Sequence, residues 1–142
     1  MLALRADQIG TIMGLEPLPK TFAELDATVA NGIRKAALRA IVGQLVERRE
    51  QILPLLYRIV PEGTFKRRKG RLSPEESERT ERLARVFATA AYVLESNEDA
   101  RRFLHAPHPM LEGRAPLDVA FTEIGAQRVE RILWAVHHGL AA

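Results

Sequence analysis

The chain has 142 residues, 46% of them apolar and 27% charged, with a formal net charge of +3 and no cysteine. That balance suits one small globular domain or two very small ones, and the missing cysteines exclude disulfides and thiolate metal centres. No apolar run reaches the roughly 18–20 residues of a membrane span. The opening MLALRADQIG lacks the charged start and apolar core of a secretory signal, so the expected location is cytoplasmic.

Charge is unevenly placed. Residues 58–72 hold six cations against one anion, whereas residues 86–142 hold five against seven. A local basic patch fits a polyanion footprint better than a diffuse positive surface does.

Residues 1–20 lack a clean period and include Gly10, Gly14, Pro17 and Pro19. They read as an irregular arm with room for a short helix over 2–9. Thr21 can cap a helix that starts at Phe22, carries the stripe Phe22, Leu25 and Val29, and stops at Asn31-Gly32. A second helix is predicted over 34–46, with Leu38, Ile41, Val42 and Leu45 on one face. Residues 50–58 predict a short helix that starts late, near Ile52 or Leu53, because Pro54 is tolerated only in a first turn. Pro61 suits the first position of the next short helix, over 61–69, which Gly70 can stop.

Ser73-Pro74-Glu75-Glu76 is a capping box. It opens a long helix to Glu95 with Leu83, Val86, Phe87, Ala90, Ala91 and Leu94 on one face. Glu75, Glu78 and Glu81 each stand four residues before Arg79, Arg82 and Arg85, which reads as a solvated charged face. Ser96 caps a helix to His105, residues 106–115 form a Pro/Gly loop, and Pro116 opens a short helix. Thr122 to Gly125 reads as a turn. The last helix is expected from Ala126 to His138, with Val129, Ile132, Leu133 and Val136 inward and Gly139 as its stop. No run of alternating β-branched residues occurs, so the fold class is all-α.

The helix pair over 50–69 fits a helix-turn-helix, in which the second helix enters the major groove. Glu62, Gly63, Thr64 and Lys66 would then face base edges, and Arg67, Arg68 and Lys69 would meet phosphates. The competing reading is a solvated basic patch. His105 and His108 are separated by a proline, and His137 and His138 point in different directions on a helix, so no metal or other cofactor is expected. No phosphate cradle, nucleophile elbow or cysteine nucleophile is present, so the chain does not read as an enzyme. Trp134 is either core filling or an interface anchor.

Residues 97–140, NEDARRFLHAPHPMLEGRAPLDVAFTEIGAQRVERILWAVHHGL, resemble the C-terminal domain of the Xre/MbcA/ParS antitoxins. The parts that carry the resemblance are Ala100 with Phe103-Leu104, the loop Pro109–Gly113, Pro116-Leu117-Asp118, Thr122–Gly125 and the closing Val129, Ile132-Leu133 and Gly139. Upstream, VPEGTFKRRKGRLSPEESERTERLARV is similar to that family's Xre-like helix-turn-helix and connecting helix. The resemblance implies an Xre-like helix-turn-helix domain over 21–72, a connecting helix over 73–95 and a toxin-binding domain over 96–142. It also implies a type II toxin–antitoxin module, whose partner would be a RES-domain toxin that degrades NAD⁺ or transfers ADP-ribose. The antitoxin would cover the toxin's active site, bind promoter DNA of its own operon and form a homodimer. The toxin contacts expected on this chain are Arg114, Trp134, His137, His138, Gly139, Leu140, Ala141 and Ala142. The alternative is a stand-alone helix-turn-helix regulator whose C-terminal helices serve dimerisation.

Overall fold

The computed structural model describes residues 4–139. Among them nine α-helices and two 3₁₀ turns occur, and no strand. The all-α expectation holds. No described helix is long and apolar enough to cross a membrane.

The long helix α6 (Pro74–Leu94) is the axis of the molecule. It packs against α1 (Ala6–Met13), α2 (Phe22–Ala30), α3 (Lys35–Leu45), α4 (Ile52–Ile59), α7 (Asn97–His105) and α9 (Glu123–His137). Its second half is rich in buried alanine, including Ala84, Ala88 and Ala90, which lets neighbours approach closely on several sides. Ser73 starts it as the sequence predicts: Ser73 Oγ accepts from Glu76 N–H, and Glu76 Oε1 accepts from Ser73 N–H.

Within the arm expected to be irregular over 1–20, with room for a short helix over 2–9, residues 6–13 form a packed helix. Ala6, Ile9, Gly10 and Met13 are the buried face of α1, an i, i+3, i+4, i+7 stripe. Two of those four are Ala and Gly, so the stripe barely shows as hydrophobic periodicity. Gly10 is required there, because a Cβ would stand 2.7 Å from the Pro19 ring folded back over the helix. Leu4 and Leu15 complete this part of the core.

Elsewhere the boundaries move by a turn or less. A 3₁₀ turn, Arg49–Gln51, leads into α4 at Ile52, which places Pro54 in the helix's first turn. Pro61 is the N-cap of α5 (Glu62–Arg67) rather than its first residue, and α5 ends at Arg67 instead of Lys69. Gly70 turns the chain with φ +92°. A short helix, α8 (Pro116–Val119), precedes α9. The turn expected over 122–125 is instead the first turn of α9: Thr122 is its N-cap and accepts from Gly125 N–H at 3.0 Å.

The halves of the chain are tied at several points. Arg58 of α4 pairs with Asp118 of α8 at 3.0 Å and covers the Phe121 ring. Arg101 of α7 donates to Gln44 O at 2.7 Å, and His105 Nε2 lies 2.8 Å from Leu45 O. His105 therefore serves the packing of α7 on α3.

Candidate functional site

Two regions carry the residues singled out by the sequence. The first is the short helix α5 with the turn behind it. Phe65 is its buried anchor and meets Tyr57 of α4 edge-on. This leaves Glu62, Gly63, Lys66 and Arg67 exposed, with Thr64 half-buried. The exposed charges are not all free. Lys66 Nζ pairs with Glu62 at 2.7 Å across one turn, which raises the lysine's pKa through that bond. Arg67 Nη2 reaches Thr64 Oγ1 at 3.4 Å.

Arg68, expected at a phosphate, has a different task. Its guanidinium makes two parallel bonds to Glu76, and that contact holds the Glu76 carboxyl below the usual carboxylate range. Lys69 is exposed and has no carboxylate partner among the described residues. The tertiary structure also adds cations that the sequence reading left out. Lys35 Nζ lies 4.3 Å and Arg39 Cζ 5.0 Å from the centre of the Phe65 ring. Both come from α3, some 30 residues upstream, and only a contact across the fold brings them here.

The second region is the end of α9. This helix runs parallel to the second half of α6: Glu123 meets Arg82 and Arg85, Glu130 meets Arg85, and further along Trp134 and His137 stack on Tyr92. The rings of Trp134 and His137 are 5.4 Å apart, and His138 follows at 5.2 Å from His137. Trp134 is half-buried, while His137, His138 and Gly139 are exposed. Val136, expected inward, is 42% exposed. The reason is length: α6 stops at Leu94, just beyond Tyr92, so the last turn of α9 has little left to pack on.

Arg114 lies exposed in the 106–115 loop, held by Arg114 N–H to Leu111 O and by Arg128 to Glu112. Among the described residues it makes no hydrogen bond or ring contact with the Trp134 cluster. Leu140, Ala141 and Ala142 lie outside the described residues.

The charged side of α6 is solvated only at its start, where Glu75 and Glu78 are exposed; from Arg79 to Arg85 it is partly covered. Arg82 is 14% exposed and Arg85 27%. Arg82 donates to Phe121 O at 2.9 Å, and Arg85 bridges Glu123 and Glu130, each at 3.0 Å. Burial, with Arg85 only partly offsetting it, pushes the Glu81 and Glu130 carboxyls above their ordinary values. Arg79 donates to Ile59 O, fixing α4 to α6. The i, i+4 spacing does appear, at 3.8 Å for Glu78–Arg82 and Glu81–Arg85, but the shorter contacts are those across the fold.

Residues 24–85 match the antitoxin Xre-like helix-turn-helix domain, and residues 89–139 match the antitoxin Xre/MbcA/ParS C-terminal toxin-binding domain. The chain belongs to the Xre/MbcA/ParS antitoxin family. Both matches take in part of α6, so this antitoxin shares one helix between its helix-turn-helix and its toxin-binding domain. No curated protein matches the chain in sequence.

Proposed function

We propose that this antitoxin neutralises a RES-domain toxin that consumes NAD⁺, by degrading it or by transferring ADP-ribose, and that it represses its own operon. The observation that carries the first part is the match of residues 89–139 to a toxin-binding domain. The half-exposed ring cluster of Tyr92, Trp134 and His137 at the end of that domain supports it, since tryptophan anchors are over-represented at binding hot spots. An inhibitor needs a rigid complementary surface and no catalytic groups of its own. In this reading Trp134, His137, His138 and Gly139, with Leu140, Ala141 and Ala142, cover the toxin's active site, and Arg114 adds a contact from the loop.

The second part rests on the helix-turn-helix match and on the basic face of α5. Thr64 and Lys66, with Glu62 as the partner that holds Lys66, face base edges, while Arg67 and Lys69 meet phosphates. Arg68 supports α5 from behind. A homodimer would present two such helices to a two-fold operator.

Co-expression with a RES-domain toxin tests the first part. Truncation inside α9 would not serve, because it removes the buried Val129 and Leu133. The informative chains are one ending at Gly139 and one carrying Trp134→Ala. Both should fail to restore growth while remaining folded. Full protection by both would remove the tail assignment. If the intact chain never protects but still binds DNA, the stand-alone regulator is the right reading.

A further inference from the structure

The cationic face extends beyond α5. Arg34 and Lys35 occupy the N-cap and first position of α3, and no acidic residue stands in that helix's first turn. Cations there oppose the helix dipole, so helix stability does not explain them. Arg39 lies four residues after Lys35, on the same side of the helix.

Backbone pairing fixes this end of α3 beside the turn that follows α5. Lys35 N–H donates to Gly70 O at 2.9 Å and Leu72 N–H to Ile33 O at 2.8 Å. Gly32 allows the approach, with φ +87° and no room for a Cβ, which would stand 2.5 Å from Leu72 O. Lys35 Nζ also reaches Arg68 O at 3.3 Å.

The acidic residues on this face are already engaged, Glu62 by Lys66 and Glu76 by Arg68. Arg34, Lys35, Arg39, Arg67 and Lys69 have no carboxylate partner among the described residues. Lys35 and Arg39 thus join the α5 segment at Phe65, while Arg34 stands at the adjoining edge, beside Arg71 in the cleft that Thr28 and Asn31 also line.

We propose that Arg34, Lys35 and Arg39 form a second phosphate-binding row, which grips the backbone of duplex DNA alongside the strand contacted by α5. The inference rests on the DNA-binding reading of α5 and adds α3 to it. Phosphate contacts position a protein without reading sequence, so this row sets affinity and salt dependence rather than operator choice.

The test is fluorescence anisotropy of the full chain on a labelled duplex from upstream of its own gene and on an unrelated duplex, over a salt series. Lys35→Gln with Arg39→Gln should weaken binding to both duplexes and make the log–log salt slope shallower by about two. Lys35→Arg with Arg39→Lys should retain most of the binding. Arg34→Gln, whose side chain is exposed and unpaired, should weaken binding with an unchanged melting temperature, which keeps the test decisive if the double variant fails to fold. The proposal is overturned if Arg34→Gln and the double glutamine variant bind like the parent while Arg67→Ala with Lys69→Ala binds more weakly. It is also overturned if the charge-keeping pair loses as much as the neutral pair, for then the cations serve only Phe65. If the parent chain binds neither duplex, the DNA-binding reading itself falls and takes the second row with it.

Discussion

Arg68 and Glu76 meet fork to fork: Arg68 Nε donates to Glu76 Oε1 at 3.0 Å and Nη2 to Oε2 at 2.8 Å. The same Oε1 accepts Ser73 N–H at 2.9 Å. One carboxylate thus closes the cap of α6 and holds Arg68, the C-cap residue just past α5. The contact ties the end of the basic helix to the start of α6.

Glu76→Gln should therefore cost about 1–2 kcal/mol at neutral pH, the range for a lost cap and a charge-assisted bond. The Arg68 guanidinium lowers the Glu76 pKa in the folded chain. Its contribution is thus full above the unfolded carboxyl's pKa and is lost as pH falls through the lower folded value. Urea titrations of both proteins at several acidic pH values should show the gap closing towards acid. A gap that stays constant would mean that Glu76 acts through shape alone.

Arg85 sits among Glu81, Glu123 and Glu130, and the removal of either sign should give opposite results. Arg85→Ala leaves half-buried carboxylates without their counter-ion and should cost about 3 kcal/mol. Glu81 has a raised pKa because burial penalises its charged form. Its ionisation opposes folding in full above the raised folded value, and the penalty fades as pH falls from there to the unfolded carboxyl's ordinary value. Glu81→Gln should thus be neutral or stabilising at neutral pH, as thermal melts of the two variants would reveal.

Gly125 is the tightest backbone approach in the C-terminal half. A Cβ there would stand 1.7 Å from Val119 O and 2.8 Å from Val119 C, both backbone atoms that cannot swing aside. Gly125→Ala should destabilise by about 3 kcal/mol, the upper end for overpacking. It should also loosen α9 against α8, which hydrogen exchange of the 116–126 amides would detect.

Among the described residues Arg67 and Lys69 have no carboxylate partner, whereas Arg68 is engaged by Glu76. Arg67→Ala with Lys69→Ala should weaken DNA binding at unchanged stability. Arg68→Ala should lower stability first, by about 1–2 kcal/mol for the lost bonds to a charged group. Circular dichroism melts beside a gel shift separate these outcomes.

Much of the fold was legible in the sequence, since local chemistry decides it. Ser73, Ser96 and Thr21 accept from backbone N–H groups three residues on, as their positions predict. The stripes Leu38, Ile41, Val42, Leu45 and Val129, Ile132, Leu133 are buried. The short helix for which the sequence left room over 2–9 forms over 6–13 as α1, and its packing was not legible because Ala6 and Gly10 mark a buried face by small size rather than by hydrophobicity.

The sequence by itself determined the helical class, most helix boundaries, the basic stretch at 66–71 and the order of motifs that carries the family resemblance. These follow from capping, periodicity and composition within a turn or two of chain. Only the tertiary structure decided which charges are spent inside the protein. It tied Arg68 to Glu76 and sank Arg82 and Arg85 between α6 and α9. It also carried Lys35 and Arg39 to the Phe65 ring. An ionic side chain takes the partner that lies within a few ångströms, and across a helix packing that partner can be any distance away in sequence.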